Sequence, residues 1–210
     1  MAKVLYIQAS PRGDASFSTA AAEAFLASYR EKNPKDEIKK IDLFTKELPP
    51  FDGHALQAKY NIMHGAAHSE KDRLAWRAVE AVIEEFKSAD KYVLSTPMWN
   101  FGIPYRLKHY LDVIVQPTYT FRVTEQGGYE GLVTGKPIFV ACARGGAYSE
   151  GTGLESLDHQ TGYLKMILGF IGFSAPSILV VEPTLAAGPA AAQKAREEAI
   201  ARARQMAKSF

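Results

Sequence analysis

One cysteine, Cys142, in 210 residues excludes an internal disulfide and a cysteine-built zinc site. It sits in the apolar run PIFVACA, where an inert buried thiol is the plain expectation. Neither sign of charge is in excess. The 25 Lys and Arg against 23 Asp and Glu leave a formal +2, too balanced to imply nucleic acid or an acidic membrane as the main partner. Long hydrophobic runs are missing too: the least polar stretch, Met166 to Val181, is broken by Gly169, Gly172, Ser174 and Pro176 and falls short of the ~20 residues of a spanning helix. Met1-Ala2-Lys3 runs straight into an apolar segment, so no signal peptide is expected and the chain should stay in the cytoplasm. Two phosphate signatures are absent, G-x-x-x-x-G-K-[ST] and G-x-G-x-x-G, which argues against a nucleotide triphosphatase or a standard dinucleotide first turn. His64 and His68 lie four apart, but no Glu follows His64 and no third ligand is in view, so no metal is expected.

What is present is organised around VLYIQASPRGDASFSTAAAEAF, Val4 to Phe25. Val4 to Ile7 form an apolar run too short for a helix, as in a parallel strand covered on both faces. Pro11 and Gly13 break the chain. Ser10, Asp14, Ser16, Ser18 and Thr19 then supply oxygens near the start of a helix from about Ser18 to Asn33, whose Ala22, Phe25, Leu26 and Tyr29 make one stripe. A helix beginning past the carboxyl end of a parallel strand aims unsatisfied N–H groups and its positive end at whatever sits above that edge. A monophosphate suits such a loop; alternatively Ser16 or Ser18 only caps the helix.

The rest of the chain alternates strand and helix patterns. Glu37 to Asp42 reads as a strand with one wet face, suited to a sheet edge. Leu43 to Ser69 is irregular, with a short helical piece around Leu56 to His64, and its length suggests that it covers a site or an interface. Ser69 caps a helix with Ala75, Val79, Val82, Ile83 and Phe86 on one face. Tyr92 to Leu94 is the next strand, breaking at Ser95-Thr96-Pro97 into MWNFGIP. Pro104 opens a helix buried through Leu107, Leu111, Ile114 and Val115. Gln116 to Gly135 reads as a small aromatic hairpin. Pro137 to Ala143 is a fourth strand, running into a flexible glycine-rich loop, RGGAYSEGTG. Tyr163 to Phe173 is helical, Ser177 to Val181 is a fifth strand, and Pro189 to Lys208 is a last helix. At 210 residues this is one domain. It is α/β, a doubly wound parallel sheet of five strands in the order 2-1-3-4-5.

Ligands on such sheets bind beyond the strands' carboxyl ends where strand order reverses, here between the first and third strands, the place where flavodoxin holds FMN. Three loops converge there, and each suits one part of FMN. SPRGDASFS offers hydroxyls and helix N–H groups to the phosphate. PMWNFGIP places Met98, Trp99, Asn100 and Phe101 against the polar edge and face of a flat ring. ARGGAY brings Gly145 and Gly146 close enough for backbone N–H groups to meet the pyrimidine carbonyls, with Arg144 adding positive field where reduction places negative charge. Trp99 and Phe101 as core aromatics, and RGG as a mere turn, are the plainer alternatives.

From VLYIQAS to the final helix the sequence resembles the FMN-dependent NADH-azoreductases, also described as NADH:quinone oxidoreductases, of the flavodoxin-like superfamily. TFR (Thr120 to Arg122), EGLVTGK (Glu130 to Lys136) and LGFIGF (Leu168 to Phe173) share in the likeness. The resemblance implies FMN contacts at Ser10, Ser16, Phe17, Ser18, Pro97, Met98, Trp99, Asn100, Phe101, Ala143, Arg144, Gly145 and Gly146. The family more often has tyrosine at the position of Trp99 and serine at that of Ala143. It also implies a homodimer with two sites built across the subunit interface, and NADH or NADPH alternating with a quinone or an azo compound at the flavin in a ping-pong cycle. Phe101, Phe121, Tyr148 and Phe170 are the expected aromatic walls, and no side chain is expected to act on the reacting atoms directly. A flavodoxin-type electron carrier docking on protein partners is the alternative from another class, and an interaction protein that has lost flavin is a third. The aromatic hairpin and the balanced charge favour the enzyme.

Overall fold

The computed structural model describes all of residues 1–210. Strand β1 (Lys3–Gln8) leads through α1 (Phe17–Lys32) to β2 (Glu37–Asp42), then through α2 (Gly53–Met63) and α3 (Glu70–Lys87) to β3 (Lys91–Pro97). Helix α4 (Tyr105–Ile114) and a two-stranded hairpin, β4 (Phe121–Val123) with β5 (Tyr129–Gly131), precede β6 (Ile138–Ala143). Helix α5 (His159–Ile171), β7 (Ser177–Val181) and α6 (Gly188–Ala207) complete the chain. The five long strands form one parallel sheet in the order β2-β1-β3-β6-β7, so the order reverses between β1 and β3 as expected.

Successive side chains of a strand point to opposite faces, and here both faces are covered. Leu5, Ile7, Tyr92, Leu94, Ile138 and Val140 face α3, α4 and α5 in one cluster. Val4, Tyr6, Val93, Phe139 and Ala141 face α1 and α6 in the other. Phe25 of α1 stacks on Phe139 with ring centroids 4.0 Å apart. That double cover is why the central strands read as unbroken apolar runs. Cys142 is fully buried, and burial pushes its thiol up to about 12.

Several boundaries differ from expectation; α2, for one, starts at Gly53 and not at Leu56. β3 does not break at Ser95 but runs through Thr96 to Pro97, because a strand flanked on both sides keeps its ladder: Ser95 pairs with Gln8 and Ala141, and Pro97 with Ala143. α5 starts at His159, four residues before Tyr163, since Asp158 caps it by accepting from Gln160 N (3.1 Å) and Thr161 N (2.9 Å). It ends at Gly172, whose φ of 118° is left-handed, so Phe173 lies beyond the helix. On α3, Trp76 rather than Ala75 is buried.

Ser69 and Asp72 close a capping box at the start of α3. Ser69→Ala is expected to cost about 1 kcal/mol, lowering the melting temperature by roughly 2–4 °C, while any activity at the far rim of the sheet stays unchanged. A thermal melt beside an activity assay checks both halves.

Candidate active site

Parallel strands end side by side, so the loops after β1, β3 and β6 leave one rim of the sheet. Ala9 N donates to Ser95 O at 2.8 Å and Met98 N to Ala143 O at 2.7 Å, joining the three strand ends across that rim.

The first loop turns through a short 3-10 segment into α1. Ser16 caps the helix by accepting from Thr19 N (3.2 Å), and its hydroxyl meets that of Ser18 at 3.2 Å. Ser10, Ser16 and Ser18 are almost wholly buried, so their oxygens are held within the loop and not scattered over the surface. Arg196, reaching over from α6, donates to Asp14 O (3.2 Å) and stands over the Phe17 ring. Arg196 escaped the sequence reading because nothing local links α6 to this loop. Helix N–H groups, buried hydroxyls and a nearby cation make a donor set fit for a phosphate.

In the second loop Trp99 and Gly102 exchange N–H···O bonds of 3.0 Å each way, with Asn100 (φ 47°) and Phe101 (φ 67°) both left-handed between them. Two positive φ values in succession define a type I′ turn, and for a phenylalanine this is a strained conformation. The turn presents the backbone N–H groups of Asn100 and Phe101 without a protein acceptor. Around it stand rings that the sequence reading missed: Phe44 lies 5.7 Å from Trp99 and 5.9 Å from Tyr105. Phe44 belongs to the irregular segment after β2, which Arg106 ties to α4 by bonding Leu43 O (2.5 Å) and Lys46 O. An aromatic on a long irregular connection was the available signal.

The third loop follows β6. Gly145 O accepts from Leu185 N (3.0 Å) and Ala186 N (2.9 Å), while the N–H groups of Gly145 and Gly146 have no protein acceptor. Tyr148 folds back over Gly146, so a Cβ there would fall 2.9 Å from its hydroxyl oxygen. Its ring meets Phe101 edge-on at 6.0 Å. The loop is not the flexible segment expected, since Glu182 accepts from Tyr148 N and Ser149 N, and Glu155 from Gly151 N and Thr152 N.

Arg144 corrects the sequence reading. Its guanidinium is 1% exposed, at 2.6 Å from Asp158 and 3.2 Å from Glu182, so it adds no free positive field to the rim. Burial opposes ionisation of Asp158, but hydrogen bonds from Thr161 and the guanidinium outweigh it and hold the carboxyl below its ordinary range. The backbone of Arg144 is engaged as well, its N–H by Val181 O and its C=O by Thr184 N.

The expected aromatic walls fall into two groups. Phe101 and Tyr148 stand at the rim, whereas Phe121 and Phe170 pack together at 4.7 Å on the hairpin and α5, joined by Tyr129. An open hollow of about 550 Å³ adjoins the second loop, lined by Gly102, Ile103, Lys108, Asp158, His159, Gly162 and Tyr163.

A family model described as flavodoxin-like fold matches residues 2–207. An FMN-dependent NADH:quinone oxidoreductase of Nitratidesulfovibrio vulgaris (strain DP4) is 51% identical over 210 residues, covering all of both chains. FMN-dependent NADH:quinone oxidoreductase 2 of Pseudomonas syringae pv. tomato is 38% identical over 97% of each chain. Among solved structures, an azoreductase from Bacillus anthracis str. Sterne superposes with a TM-score of 0.91 at 31% identity over the whole of both chains. An FMN-dependent NADH-azoreductase from Bacillus anthracis str. Ames Ancestor, solved in complex with FMN, gives 0.84 at 29% identity, covering 99% of this chain and 100% of its own.

Proposed function

The chain belongs to the FMN-dependent NADH:quinone oxidoreductases of flavodoxin-like fold, and from that premise we propose how its residues reduce quinones and azo compounds. The activity is that of an FMN-dependent oxidoreductase drawing on NADH. The observation that carries the reading is the set of unclaimed donors at one rim: N–H groups of Asn100, Phe101, Gly145 and Gly146 beside the serine-lined start of α1. FMN held there would supply two-electron chemistry between NADH or NADPH and the acceptor, the two visiting the site in turn in a ping-pong cycle.

Ser10, Ser16, Phe17 and Ser18 hold the phosphate. Pro97 to Phe101 set the ring edge through the turn, and Ala143, Gly145 and Gly146 meet the pyrimidine side with backbone. N–H groups fixed before the reaction stabilise charge developing there without reorganising. A quinone needs one round and an azo bond two. No side chain of the rim need act as acid or base.

Supporting a homodimer is the aromatic group on the hairpin and α5, in which Tyr129 is exposed and Phe121 and Phe170 are half-buried; these rings would wall the partner's site. The whole of residues 1–210 then serves as one FMN-binding domain. No helix is long and apolar enough to cross a membrane, and the need for reduced pyridine nucleotide fits a cytoplasmic enzyme. The purified protein is expected to be yellow, to run at twice its 23.1 kDa chain mass, to bleach with NADH under anaerobic conditions and to recover on adding a quinone. A colourless protein that takes up no FMN overturns the reading. Phe170→Ala is expected to lower kcat/KM for quinones about three- to tenfold, the worth of one aromatic contact, with FMN content unchanged. Unaltered quinone kinetics would remove Phe170 from the wall.

A further inference from the structure

Arg144, Asp158, Gln160 and Glu182 come from three separate segments and meet beneath the third loop. Arg144 Nη2 bonds Asp158 Oδ2 (2.6 Å), Nη1 bonds Glu182 Oε2 (3.2 Å) and Nε bonds Gln160 Oε1 (3.3 Å). Arg144 and Gln160 are both at least 99% buried. Each partner passes the restraint on. Glu182 accepts the N–H groups of Tyr148 (2.9 Å) and Ser149 (3.0 Å), fixing the far side of the glycine pair. Asp158 caps α5. Gln160 Nε2 reaches Thr96 O (3.5 Å), one residue before the end of β3. One buried cluster thus joins the end of β3 to the third loop.

Its charges do not project outward. One guanidinium stands against two carboxylates within 3.2 Å, a formal sum of −1, so the field beyond the cluster is not a positive one. What the guanidinium does supply is a planar fork whose separate N–H groups reach three acceptors at once, which a lysine ammonium on its flexible stem does not reproduce. A buried cluster of this kind is costly unless its members are paired, and here the pairing coincides with loop placement.

We infer that Arg144 is a positioning residue: with Asp158, Gln160 and Glu182 it clamps Gly145, Gly146 and Tyr148 against the end of β3, serving the flavin site through loop shape and not through charge. The inference rests on the FMN reading above for its consequence, though not for the clamp itself. Ser149 and Tyr148 owe their position to Glu182, and Glu182 owes its own to the guanidinium, so Arg144 acts on the acceptor wall through one intermediary.

Two variants test it. Arg144→Lys keeps the charge and loses the fork; it is expected to weaken FMN binding to the apoprotein about tenfold and to alter the visible circular dichroism of the loaded protein. Gln160→Leu removes both the link to Thr96 and the acceptor of Arg144 Nε, while the two ion pairs of the guanidinium stay in place. It is expected to weaken FMN about three- to tenfold, from the two hydrogen bonds lost, and to raise KM for a quinone with little change in kcat. Amide exchange in the FMN-free protein reads the clamp without flavin: the Tyr148 and Ser149 N–H groups are expected to exchange about tenfold faster in Arg144→Lys, as for a lost local restraint. An Arg144→Lys protein matching the wild type in FMN affinity, spectrum and exchange overturns the clamp. So does a fall in melting temperature alone, which marks a mere stabilising ion pair. A wild type that binds no FMN while the exchange difference persists brings down the flavin reading and leaves the clamp standing.

Discussion

Ser16→Asp is expected to give a folded protein that purifies without flavin. Ser16 caps α1 through Thr19 N, and aspartate is as good an N-cap as serine. The exchange therefore keeps the helix start, and the new carboxylate gains about 0.3–1 kcal/mol from the positive helix end. A phosphate approaching the same N–H groups meets that carboxylate instead. Two like charges about 5 Å apart repel by on the order of 3 kcal/mol at an effective dielectric of 20, which corresponds to more than about a hundredfold in affinity. Titration of the apoprotein with FMN should show that loss, while its flavin-free melting temperature equals or exceeds that of the wild type. Ser16→Ala is the control: it loses the cap, about 1 kcal/mol, adds no charge, and should weaken FMN only several-fold. If Ser16→Asp holds FMN as tightly as the wild type, the phosphate does not sit at the start of α1.

Gly131→Ala has the largest expected effect on the fold. A Cβ at Gly131 would lie 2.3 Å from Gly172 N, 2.4 Å from Ile171 C and 2.5 Å from Gly172 Cα. All three are backbone atoms, so no side chain can turn aside. The contact is pinned from the other side by Val133 N, which donates to Ile171 O at 2.8 Å. Relief therefore requires the hairpin to separate from the end of α5. Overpacking of a closed contact costs about 1–3 kcal/mol and at times more. In a chain of this length that lowers the melting temperature by roughly 2–12 °C. Separation also breaks the Phe121–Phe170 contact, so quinone turnover should fall beyond the Phe170→Ala effect. Gly127, at the tip of the same hairpin, has φ 79° and open space around its Cβ position. Gly127→Ala should show backbone strain alone, about 1–2 kcal/mol, with quinone kinetics kept. Equal behaviour of the two variants would show that the close approach at Gly131 carries no weight.

Much of the frame was legible from residue order. Glu37–Asp42 and Ser177–Val181 are strands with the bounds their patterns suggest, and the unbroken apolar runs of the central strands mark double cover. The Ser16 and Ser69 caps also follow local rules, because a capping residue and its N–H partner lie three positions apart. Where the reading went astray, a distant neighbour decided. Ser95 and Thr96 look like the end of a strand until strands on both sides hold them. Arg144 looks like a free cation beside a glycine pair until Asp158 and Glu182, 14 and 38 residues further on, take its charge. Phe44 and Arg196 look like ordinary surface residues until chain closure sets them beside Trp99 and Phe17.

Residue order by itself determined the alternation of strand and helix and the doubly covered parallel sheet, since hydrophobic period and right-handed crossover are local rules; the strand sequence came with the flavodoxin-like resemblance. Only tertiary structure decided which donors at that rim stay unclaimed and which are already bound. That outcome depends on groups tens of residues apart coming within 3.5 Å, a distance on which periodicity carries no information.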